Sequence, residues 1–372
     1  MKKILFNCST NVQGGPVQNA ANFILASKED KDFIFYYVIS PEVYSMIKKK
    51  IKGNERVTII NKSPSKSLVS RRLIKNIENN ISPDLVFTMA GPSYVNFKSR
   101  HLMGCSNPYL LFAKTKDILF GRSLIEFLMR ECRTIYQKYY LKKAHFYLFQ
   151  TEYSKNIFSS KYSISEKKLF HVPNSLGFIK DKINSISVNK EILNNKKIKV
   201  LCPFENYPHK GLHVLPIMDE LFKKMKVSVE FEVTVSPNNL SKRQLQMFKN
   251  KPNIRFIGKQ PYEMMVNAYM NNHVVFLPSV LEVFSSITIE ALHFMKPIVL
   301  SDKEFNREII EKYAIYCNPF SPIDCVEKIL IAFDLVNDTE YLEKARKFVI
   351  KKYNSYDERL TKLKRIFREI TN

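Results

Sequence analysis

The chain has 372 residues, of which 45% are hydrophobic and 25% are charged, a composition typical of soluble globular proteins and a length that suits two domains. No run of about 18 apolar residues occurs, so the sequence offers no candidate for a membrane-spanning helix. The opening MKKILFNCST is expected to form a first strand and not a secretory signal. The net charge of +24 predicts an anionic partner, which is nucleic acid, an anionic membrane surface or a phosphorylated small molecule. A lysine excess that only reflects genomic composition would give the same charge without a partner.

The six cysteines are scattered, with no C-x-x-C pair and no spacing to histidine that would suit a metal ion. They are Cys8, Cys105, Cys132, Cys202, Cys317 and Cys325. This pattern predicts reduced thiols in a cytoplasmic protein.

Strands and helices alternate through the first half of the chain. The apolar runs that suit buried strands are KKILFNCS, DFIFYYVIS, RVTIINK, PDLVFTMA, HLMGCSN, HFYLFQT and LFHVPNS. Because helical patterns separate them, residues 1–177 are predicted to form a doubly wound α/β domain. The polar run 178–196 then reads as a linker, and residues 197–354 as a second α/β domain.

Gly14 and Gly15 lie between the first strand and the first helix. A glycine at such a turn leaves the backbone open to a ligand. The surrounding sequence is neither G-x-G-x-x-G nor a Walker loop, so a dinucleotide-binding interpretation has little support.

Residues 109–144 are predicted to be helical, with aromatic and aliphatic residues interleaved with many lysines and arginines. A basic amphipathic helix of this kind can lie on an anionic lipid surface. The same pattern also arises when one face packs in the fold and the other is solvated. Both interpretations stay open for this segment.

The stretch from residue 273 to 302 combines two buried strands with a helix that opens at Ser285 or Ser286. Glu282 lies in the strand-to-helix loop, at the carboxyl end of a strand, where open α/β sheets bind ligands. Within the helix, Glu290 interrupts an apolar face, and a buried glutamate normally needs a partner. The free N–H groups at the helix start favour an anion. We expect a site with two carboxylates and a phosphate-sized anion hole.

The spacing Glu282-x7-Glu290, with Phe284 two residues after the first glutamate, resembles the motif of family-4 retaining glycosyltransferases. The resemblance covers nearly the whole chain and implies the GT-B fold, in which two Rossmann-like doubly wound domains face each other across a cleft. It also implies that a last helix, residues 355–372, crosses back to the first domain. In this family the first glutamate faces the donor sugar, the second holds the ribose, and the helix start binds the diphosphate.

Further positions take roles from the same resemblance. Lys210 corresponds to a basic residue that neutralises the donor phosphates, although its usual arginine partner falls at Glu205, which has the opposite sign; His209 is a candidate substitute. Gly258 and Lys259 lie where the family holds the nucleotide base, and Gly14 and Gly15 lie over the donor diphosphate. Ser106 and Asn107 occupy the place near the transferred sugar where many members have a histidine.

The implied function is retaining transfer of a hexose from a nucleotide-diphosphate sugar to a glycan hydroxyl, without a metal or another cofactor. The sole D-x-D pair, Asp30 and Asp32, is expected in a surface turn far from the site. The acceptor is expected to be a lipid-linked glycan in lipopolysaccharide or surface-polysaccharide synthesis. The protein would then be cytoplasmic, and peripheral on the inner face of the cytoplasmic membrane if residues 109–144 lie on lipid.

Two alternatives come from other classes. A GT-B sugar-nucleotide epimerase or phosphorylase would share the fold, but a phosphorylase needs a cofactor lysine that nothing here identifies. A nucleic-acid-binding protein would explain the charge of +24, yet the aromatic and basic signatures of RRM and OB domains are absent. We therefore expect no nucleic-acid partner.

Overall fold

The fold was obtained as a computed structural model that describes residues 1–51, 53–176, 197–353 and 355–372. The predicted linker, residues 178–196, lies outside the described residues. The chain divides into two compact units: Met1–Ala113, Leu128–Phe178 and Asn354–Asn372 form the first, and Lys114–Phe127 and Ile179–Tyr353 form the second. The short segment 114–127 groups with the second unit, although it lies within the predicted first domain.

A seven-stranded parallel sheet forms the centre of the first unit. Its strands are β1 (Lys2–Cys8), β2 (Phe33–Ile39), β3 (Val57–Ile59), β4 (Leu85–Thr88), β5 (Arg100–Gly104), β6 (Phe146–Phe149) and β7 (Leu169–His171), in the order β3-β2-β1-β4-β5-β6-β7. The helices between residues 15 and 162 are α1 (Gly15–Ser27), α2 (Pro41–Ile51), α3 (Leu68–Ile81), α4 (Pro108–Leu111), α5 (Thr115–Leu119), α6 (Leu124–Leu141) and α7 (Glu152–Tyr162).

Both faces of this first sheet are covered, because successive side chains of a strand point to opposite sides. Ile4 and Phe6 of β1 join a large core that includes α1 and α2, whereas Leu5 joins a second cluster with Ile74 of α3. Buried strands without a polar face therefore appear as continuous apolar runs in the sequence. The predicted doubly wound arrangement is confirmed for this unit.

The second unit has its own parallel sheet of six strands. These are β8 (Ile198–Cys202), β9 (Val229–Val233), β10 (Ile254–Phe256), β11 (Val274–Leu277), β12 (Ile298–Ser301) and β13 (Ile315–Cys317), in the order β10-β9-β8-β11-β12-β13. Its helices are α8 (Leu215–Lys224), α9 (Lys242–Phe248), α10 (Tyr262–Met270), α11 (Ser286–His293), α12 (Glu304–Ile310), α13 (Pro322–Asp334) and α14 (Thr339–Lys352).

The order of strands in the second sheet reverses at β8, which has β9 on one side and β11 on the other. At such a switch point the loops that follow the two neighbouring strands, here β8 and β11, lead away in opposite directions. A crevice therefore forms between these loops at the carboxyl edge of the sheet. The loops that follow β8 and β11 carry Lys210 and Glu282. The topology therefore places these two residues, far apart in the sequence, at the same crevice.

The last helix, α15 (Tyr356–Thr371), belongs to the first unit. Its Phe367 is fully buried and packs against Phe87 of β4, with ring centroids 5.3 Å apart. Lys364 binds Asp30 at 2.6 Å, and Arg368 binds Asp32 at 2.7 Å. The D-x-D pair thus contributes ion pairs that attach the terminal helix.

The single helix predicted for residues 109–144 is wrong, because the structure breaks this segment into α4, α5 and α6. Asn107 caps α4 by accepting a hydrogen bond from the backbone N–H of Tyr109 at 3.1 Å. Gly121, between α5 and α6, has a φ of 69°, which a residue in a continuous helix cannot adopt. A β-carbon at Gly121 would lie 2.7 Å from Nδ1 of His213, so the neighbouring loop also requires glycine here.

Side-chain contacts explain why the segment around α5 belongs to the second unit. Phe120 packs edge-on against His213, with ring centroids 4.4 Å apart, and against Phe320 at 5.2 Å. The buried carboxylate of Asp117 pairs with Nζ of Lys303 at 3.1 Å. These contacts form only in the tertiary structure, and no local sequence pattern predicts them.

The thiols and helices give two further observations. All six cysteines are free in the structure, five of them are buried, and burial raises the pKa of Cys8, Cys105 and Cys202. Among the described residues, no helix combines the length and the apolar character that crossing a bilayer requires.

Candidate functional site

Lys210 and Glu282 are in direct contact at the crevice of the second sheet. Nζ of Lys210 donates a hydrogen bond to Oε1 of Glu282, and both side chains are mostly buried, with 13% and 15% of their surface exposed. Lys210 ends the 3-10 turn Pro208–Lys210, and Glu282 lies in the loop between β11 and α11. The structure therefore brings together two residues that are 72 positions apart in the sequence.

The backbone around Gly211 holds Lys210 in this position. Gly211 has a φ of 83°, and a β-carbon there would lie 2.8 Å from Cγ of Pro278. The N–H of Val280 donates to the carbonyl of His209 at 2.9 Å. The loops that follow β8 and β11 thus pack directly on each other, so the cation and the carboxylate are placed by backbone contacts as well as by their own ion pair.

Glu290 is buried in α11, as its position on an apolar helix face indicates. The hydroxyl of Tyr269, in α10, donates to Oε2 of Glu290 at 2.9 Å. Burial raises the pKa of Glu290 to about 7, although the hydrogen bond from Tyr269 opposes this increase. Glu290 is therefore partly protonated near neutral pH and can either accept or donate hydrogen bonds.

Tyr269 is a candidate site residue that sequence reasoning missed. It is fully buried and stacks on Phe294 with ring centroids 5.1 Å apart. Its contact with Glu290 joins two helices that are separated by β11, so helical spacing could not reveal it. The expectation that a buried glutamate needs a partner was the only signal available.

The helix start next to Glu282 is placed as expected. Ser285 is the N-cap of α11, with extended backbone angles, and the helix begins at Ser286. The first N–H groups of a helix have no partner within the helix and point toward the carboxyl edge of the sheet that precedes it. The Ser285 side chain makes no capping hydrogen bond to the first turn of α11.

Gly258 and Lys259 follow β10, at the same carboxyl edge as the loops of Lys210 and Glu282. Gly258 has a φ of 73°, and a β-carbon there would meet no atom within 4 Å. Nε2 of Gln260 donates to the carbonyl of Ile257 at 2.6 Å, which shapes the turn. Lys259 is exposed. Two strands, β9 and β8, separate β10 from β11. Gly258 and Lys259 therefore lie to one side of the Lys210–Glu282 pair along the same edge of the sheet.

The loop after β8 contains Glu205, which occupies the position of the family's arginine, and His209, the candidate substitute for that arginine. Glu205 is half-buried, and its carbonyl accepts a hydrogen bond from the N–H of Tyr207 at 2.7 Å. His209 is buried, and its ring stacks on that of Tyr207 with centroids 5.5 Å apart. The packing of His209 against a tyrosine supports the loop, whereas Lys210 carries the cation that faces Glu282.

The remaining predicted site residues lie at the carboxyl edge of the first sheet. Gly14, with a φ of 63°, precedes α1, and a β-carbon at Gly14 or Gly15 would meet no protein atom within 4 Å. Nδ2 of Asn107 donates to Gln137 at 3.2 Å in addition to its capping role. Ser106 is half-buried beside it. Asn107 is thus engaged in local structure, while Gly14 and Gly15 leave the backbone open.

His101, in β5 of the first unit, has the environment of a core residue. It is fully buried within β5, and its Nε2 lies 2.8 Å from Oγ1 of Thr88. Burial lowers the pKa of His101 to about 3, so the ring is neutral. Its role is structural. Among the described residues, no group of three or more His, Cys, Asp or Glu side chains could hold a metal ion.

The second unit therefore presents a cation, a carboxylate and the start of a helix at one crevice, and a second carboxylate buried within that helix. An ammonium group and backbone N–H groups stabilise negative charge as it develops on a departing phosphate. A buried carboxylate suits the recognition of paired hydroxyl groups, because it accepts two hydrogen bonds. This chemistry fits a phosphorylated sugar compound better than a neutral ligand.

Part of the chain matches a known protein family. Residues 185–352, the greater part of the second unit, match the family described as "Glycosyl transferases group 1". No curated protein sequence matches the chain.

Solved structures match the chain as a whole. A glycosyltransferase from Rickettsia africae is 16% identical, with a TM-score of 0.71 over 99% of this chain and 98% of that one. A TarM variant from S. aureus, in complex with fondaparinux, alpha-GlcNAc-glycerol and UDP, is 15% identical, with a TM-score of 0.67 over 100% of both chains. A UDP-GlcNAc 2-epimerase from Neisseria meningitidis, bound to UDP-GlcNAc, is 16% identical, with a TM-score of 0.57 over 95% of this chain and 99% of that one. These likenesses show the fold, and the predicted GT-B class with two Rossmann-like domains is confirmed.

Proposed function

We propose that this protein is a retaining glycosyltransferase that moves a hexose from a nucleotide-diphosphate sugar to a hydroxyl of a glycan. The observation that carries the proposal is the contact of Lys210 with Glu282 at the switch point of the second sheet, where Glu282 lies four residues before the start of α11. The family match over residues 185–352 supports it independently.

Most of the proposed contacts with the donor nucleotide come from the second unit. Lys210 and the N–H groups at Ser285 and Ser286 would bind the diphosphate, because both supply positive charge to an anion. Glu290 would hold the ribose hydroxyls, and backbone groups at Gly258 and Lys259 would contact the base. UDP is the first nucleotide to test, since the TarM and epimerase structures with this fold contain UDP or a UDP-sugar.

The chemical step needs no base from the protein. The bond between the anomeric carbon and the diphosphate oxygen breaks, and its electron pair leaves with the diphosphate, where Lys210 and the helix start stabilise the charge. The acceptor oxygen bonds to the same face of the sugar and gives its proton to the departing phosphate oxygen. Glu282 would orient the sugar through its hydroxyls. In this proposal Lys210 and the helix start supply the positive charge that a divalent ion supplies in other transferases.

The acceptor is proposed to be a lipid-linked glycan in lipopolysaccharide or surface-polysaccharide synthesis. The first unit would bind it, with Ser106 and Asn107 on the sugar side and with Gly14 and Gly15 leaving room over the diphosphate. The protein would then act in the cytoplasm, peripherally at the inner face of the cytoplasmic membrane. The net charge of +24 is compatible with that surface.

One alternative activity has a specific observation in its favour. The similarity to the UDP-GlcNAc 2-epimerase means that the same fold also supports chemistry on the donor alone. An epimerase would change the sugar of its nucleotide-sugar without any acceptor, whereas a transferase would release free nucleoside diphosphate in proportion to glycan formed. Incubation of each UDP-sugar with the protein alone, followed by NMR of the sugar, separates the two.

A thermal-shift panel tests the donor site directly. UDP, GDP, ADP, CMP and TDP, each with its sugar conjugates, are added first without metal and then with magnesium. A ligand at a hundredfold excess over its dissociation constant stabilises the folded state by about 2.7 kcal/mol, and we expect this for one nucleotide class without metal. If none of them stabilises the protein, the proposed donor site is wrong.

A further inference from the structure

Helix α6 has its apolar side turned to solvent. Leu128, Met129, Ile135 and Tyr139, all in the first unit, are each more than half exposed. On a helical wheel of 3.6 residues per turn these positions form one stripe along the part of α6 that begins at Leu128. A helix that only packs on a protein core shows the opposite pattern, with its apolar stripe inward.

The inward side of α6 is largely polar. Thr134 is buried, and Arg130 donates to its hydroxyl at 3.3 Å and to Oε1 of Gln137 at 2.6 Å. Gln137 in turn donates to the hydroxyl of Tyr94 at 3.1 Å. A hydrogen-bonded network therefore attaches the helix to the first unit, so the outer apolar stripe is not needed for packing within the described part of the chain.

A second helix adds to this surface. On α3, Leu68 and Val69 are exposed by 66% and 74%, and Leu73 by 44%. Arg71 of α3 donates to the hydroxyls of Tyr136 and Tyr140 of α6, at 2.6 and 2.7 Å. This arginine ties the exposed side of α3 to that of α6, and we call the two exposed stripes together the α3–α6 face.

Exposed cations outnumber exposed carboxylates beside the apolar residues of the α3–α6 face. Arg72 is exposed on α3, Arg133 on α6, and Lys142 just beyond the end of α6. Of the carboxylates on the two helices, Glu78 is buried and paired with Lys75 at 2.6 Å, Glu131 is half-buried, and Glu126 is exposed at the start of α6. Apolar side chains next to lysines and arginines match the two layers of an anionic membrane surface, which has charged headgroups above acyl chains.

We propose that the α3–α6 face binds the surface of an anionic lipid bilayer. The inference deepens the proposed function, because it names the surface by which such an enzyme would meet a lipid-linked acceptor. A second copy of the chain fits less well, since a symmetric contact would bring Arg72, Arg133 and Lys142 against like charges. Nucleic acid would satisfy the cations but leave Ile135 and Leu128 exposed to water.

Vesicle co-sedimentation tests this proposal without any nucleotide. The full chain is mixed with vesicles of phosphatidylcholine alone or of equal parts phosphatidylcholine and phosphatidylglycerol, at low and at high salt. We expect binding to the anionic vesicles that weakens with salt. Arg133→Ala and Lys142→Ala should each lower the partition coefficient about fivefold, since each cation near such a surface contributes about that factor.

Matched variants test whether the α3–α6 face binds the vesicles, as opposed to the overall charge or the exposed apolar residues of the rest of the protein. Ile135→Ser, at a position 67% exposed, should weaken vesicle binding severalfold, whereas Ile323→Ser, at a position 59% exposed on α13, should not. Lys347→Ala, on α14, is the control for the two cationic variants. Circular dichroism melts verify that every variant is folded.

Three outcomes would overturn the inference. The first is an absence of binding to anionic vesicles at low salt. The second is equal binding by Ile135→Ser and Ile323→Ser, which would place the contact elsewhere. The third is a concentration-dependent dimer in sedimentation velocity that Ile135→Ser abolishes, which would assign the face to a second copy. If the protein binds anionic vesicles but no nucleotide raises its melting temperature, the proposed donor site is wrong and the proposed membrane contact is still supported.

Discussion

The ammonium group of Lys210 and the carboxylate of Glu282 form an ion pair at the crevice of the second sheet. A diphosphate that enters the crevice therefore meets a cation that already has a partner, and it must share or displace that partner. The two side chains are both mostly buried, so the ion pair is stronger than one on the surface. Substitutions of the two residues are expected to have opposite effects on phosphate binding.

Replacement of Lys210 should weaken binding of the diphosphate and not of the nucleoside. Lys210→Ala removes a charge-assisted hydrogen bond, so affinity for UDP should fall about tenfold to a hundredfold. Affinity for uridine, which has no phosphate, should hardly change. Isothermal titration calorimetry with both ligands measures the difference, and Lys347→Ala, at an exposed lysine of α14, is the control. Equal losses for UDP and uridine would mean that Lys210 does not face the phosphates.

Replacement of Glu282 should reduce turnover more than donor binding. Glu282→Ala removes a group that is proposed to act on the sugar in the transition state, so kcat should fall by about a hundredfold. The same change releases Lys210 from its ion pair, so affinity for UDP should stay the same or increase. Single-turnover kinetics and calorimetry on one protein preparation compare the two quantities. Loss of UDP affinity with normal kcat would contradict the assignment.

Glu290 should make the free energy of unfolding depend on pH, and Glu290→Gln should remove this dependence. Its pKa is about 7 in the folded protein against an ordinary value of 4.5, so between these values the folded state binds the extra proton. The free energy of unfolding should therefore fall as pH rises from about 4.5 to 7, by roughly 3 kcal/mol at most. Above pH 7 this contribution should be constant. Thermal melts of the wild type and Glu290→Gln at pH 5 and pH 8 measure it, and the difference between the two pH values should be smaller for the variant.

Donor binding should show the opposite pH dependence. Ribose hydroxyls donate more strongly to an ionised Glu290 than to a protonated one, so affinity for UDP should rise with pH and level off above about pH 7. Glu290→Ala should lose donor binding, and Glu290→Gln should bind weakly at every pH. A wild-type pH profile in Glu290→Gln would show that another group titrates.

Tyr269 should set the midpoint of that pH profile. Its hydroxyl stabilises the carboxylate of Glu290 at 2.9 Å, so Tyr269→Phe should raise the pKa of Glu290 further and move the midpoint of UDP binding to higher pH. In the double variant Tyr269→Phe/Glu290→Gln no such shift should remain, because the titrating group is gone. A midpoint that does not move in Tyr269→Phe would mean that the hydrogen bond leaves ionisation of Glu290 unaffected.

Gly211 should be more sensitive to substitution than another glycine with the same backbone angle. Gly211→Ala and Gly53→Ala both place a β-carbon at a positive φ, 83° and 79°, which costs about 1–2 kcal/mol. Only at Gly211 does the β-carbon also meet Pro278, at 2.8 Å. Urea denaturation should therefore show a larger loss for Gly211→Ala, and that variant alone should also weaken UDP binding. Equal losses would show that the Pro278 contact relaxes freely.

Much of the architecture follows from the sequence because local patterns report burial. Continuous apolar runs such as KKILFNCS and HVVFLPSV correspond to β1 and β11, which are buried on both faces of parallel sheets. The alternation of strands with helices determines the doubly wound class. Glu290 could be singled out because a carboxylate within an apolar helix face is unusual, and Glu282 because it lies in the loop that follows a buried strand.

Only the tertiary structure decides which distant residues meet. Lys210 and Glu282 touch because β8 and β11 are neighbours, and strand order is not encoded in either strand alone. Tyr269 reaches Glu290 across the packing of two helices. The segment 109–144 has a helical pattern throughout, yet Gly121 breaks it where Phe120 packs on His213 of the second unit. In each case the deciding energy comes from contacts between parts of the chain that are far apart in sequence, and local propensity is too weak to override them.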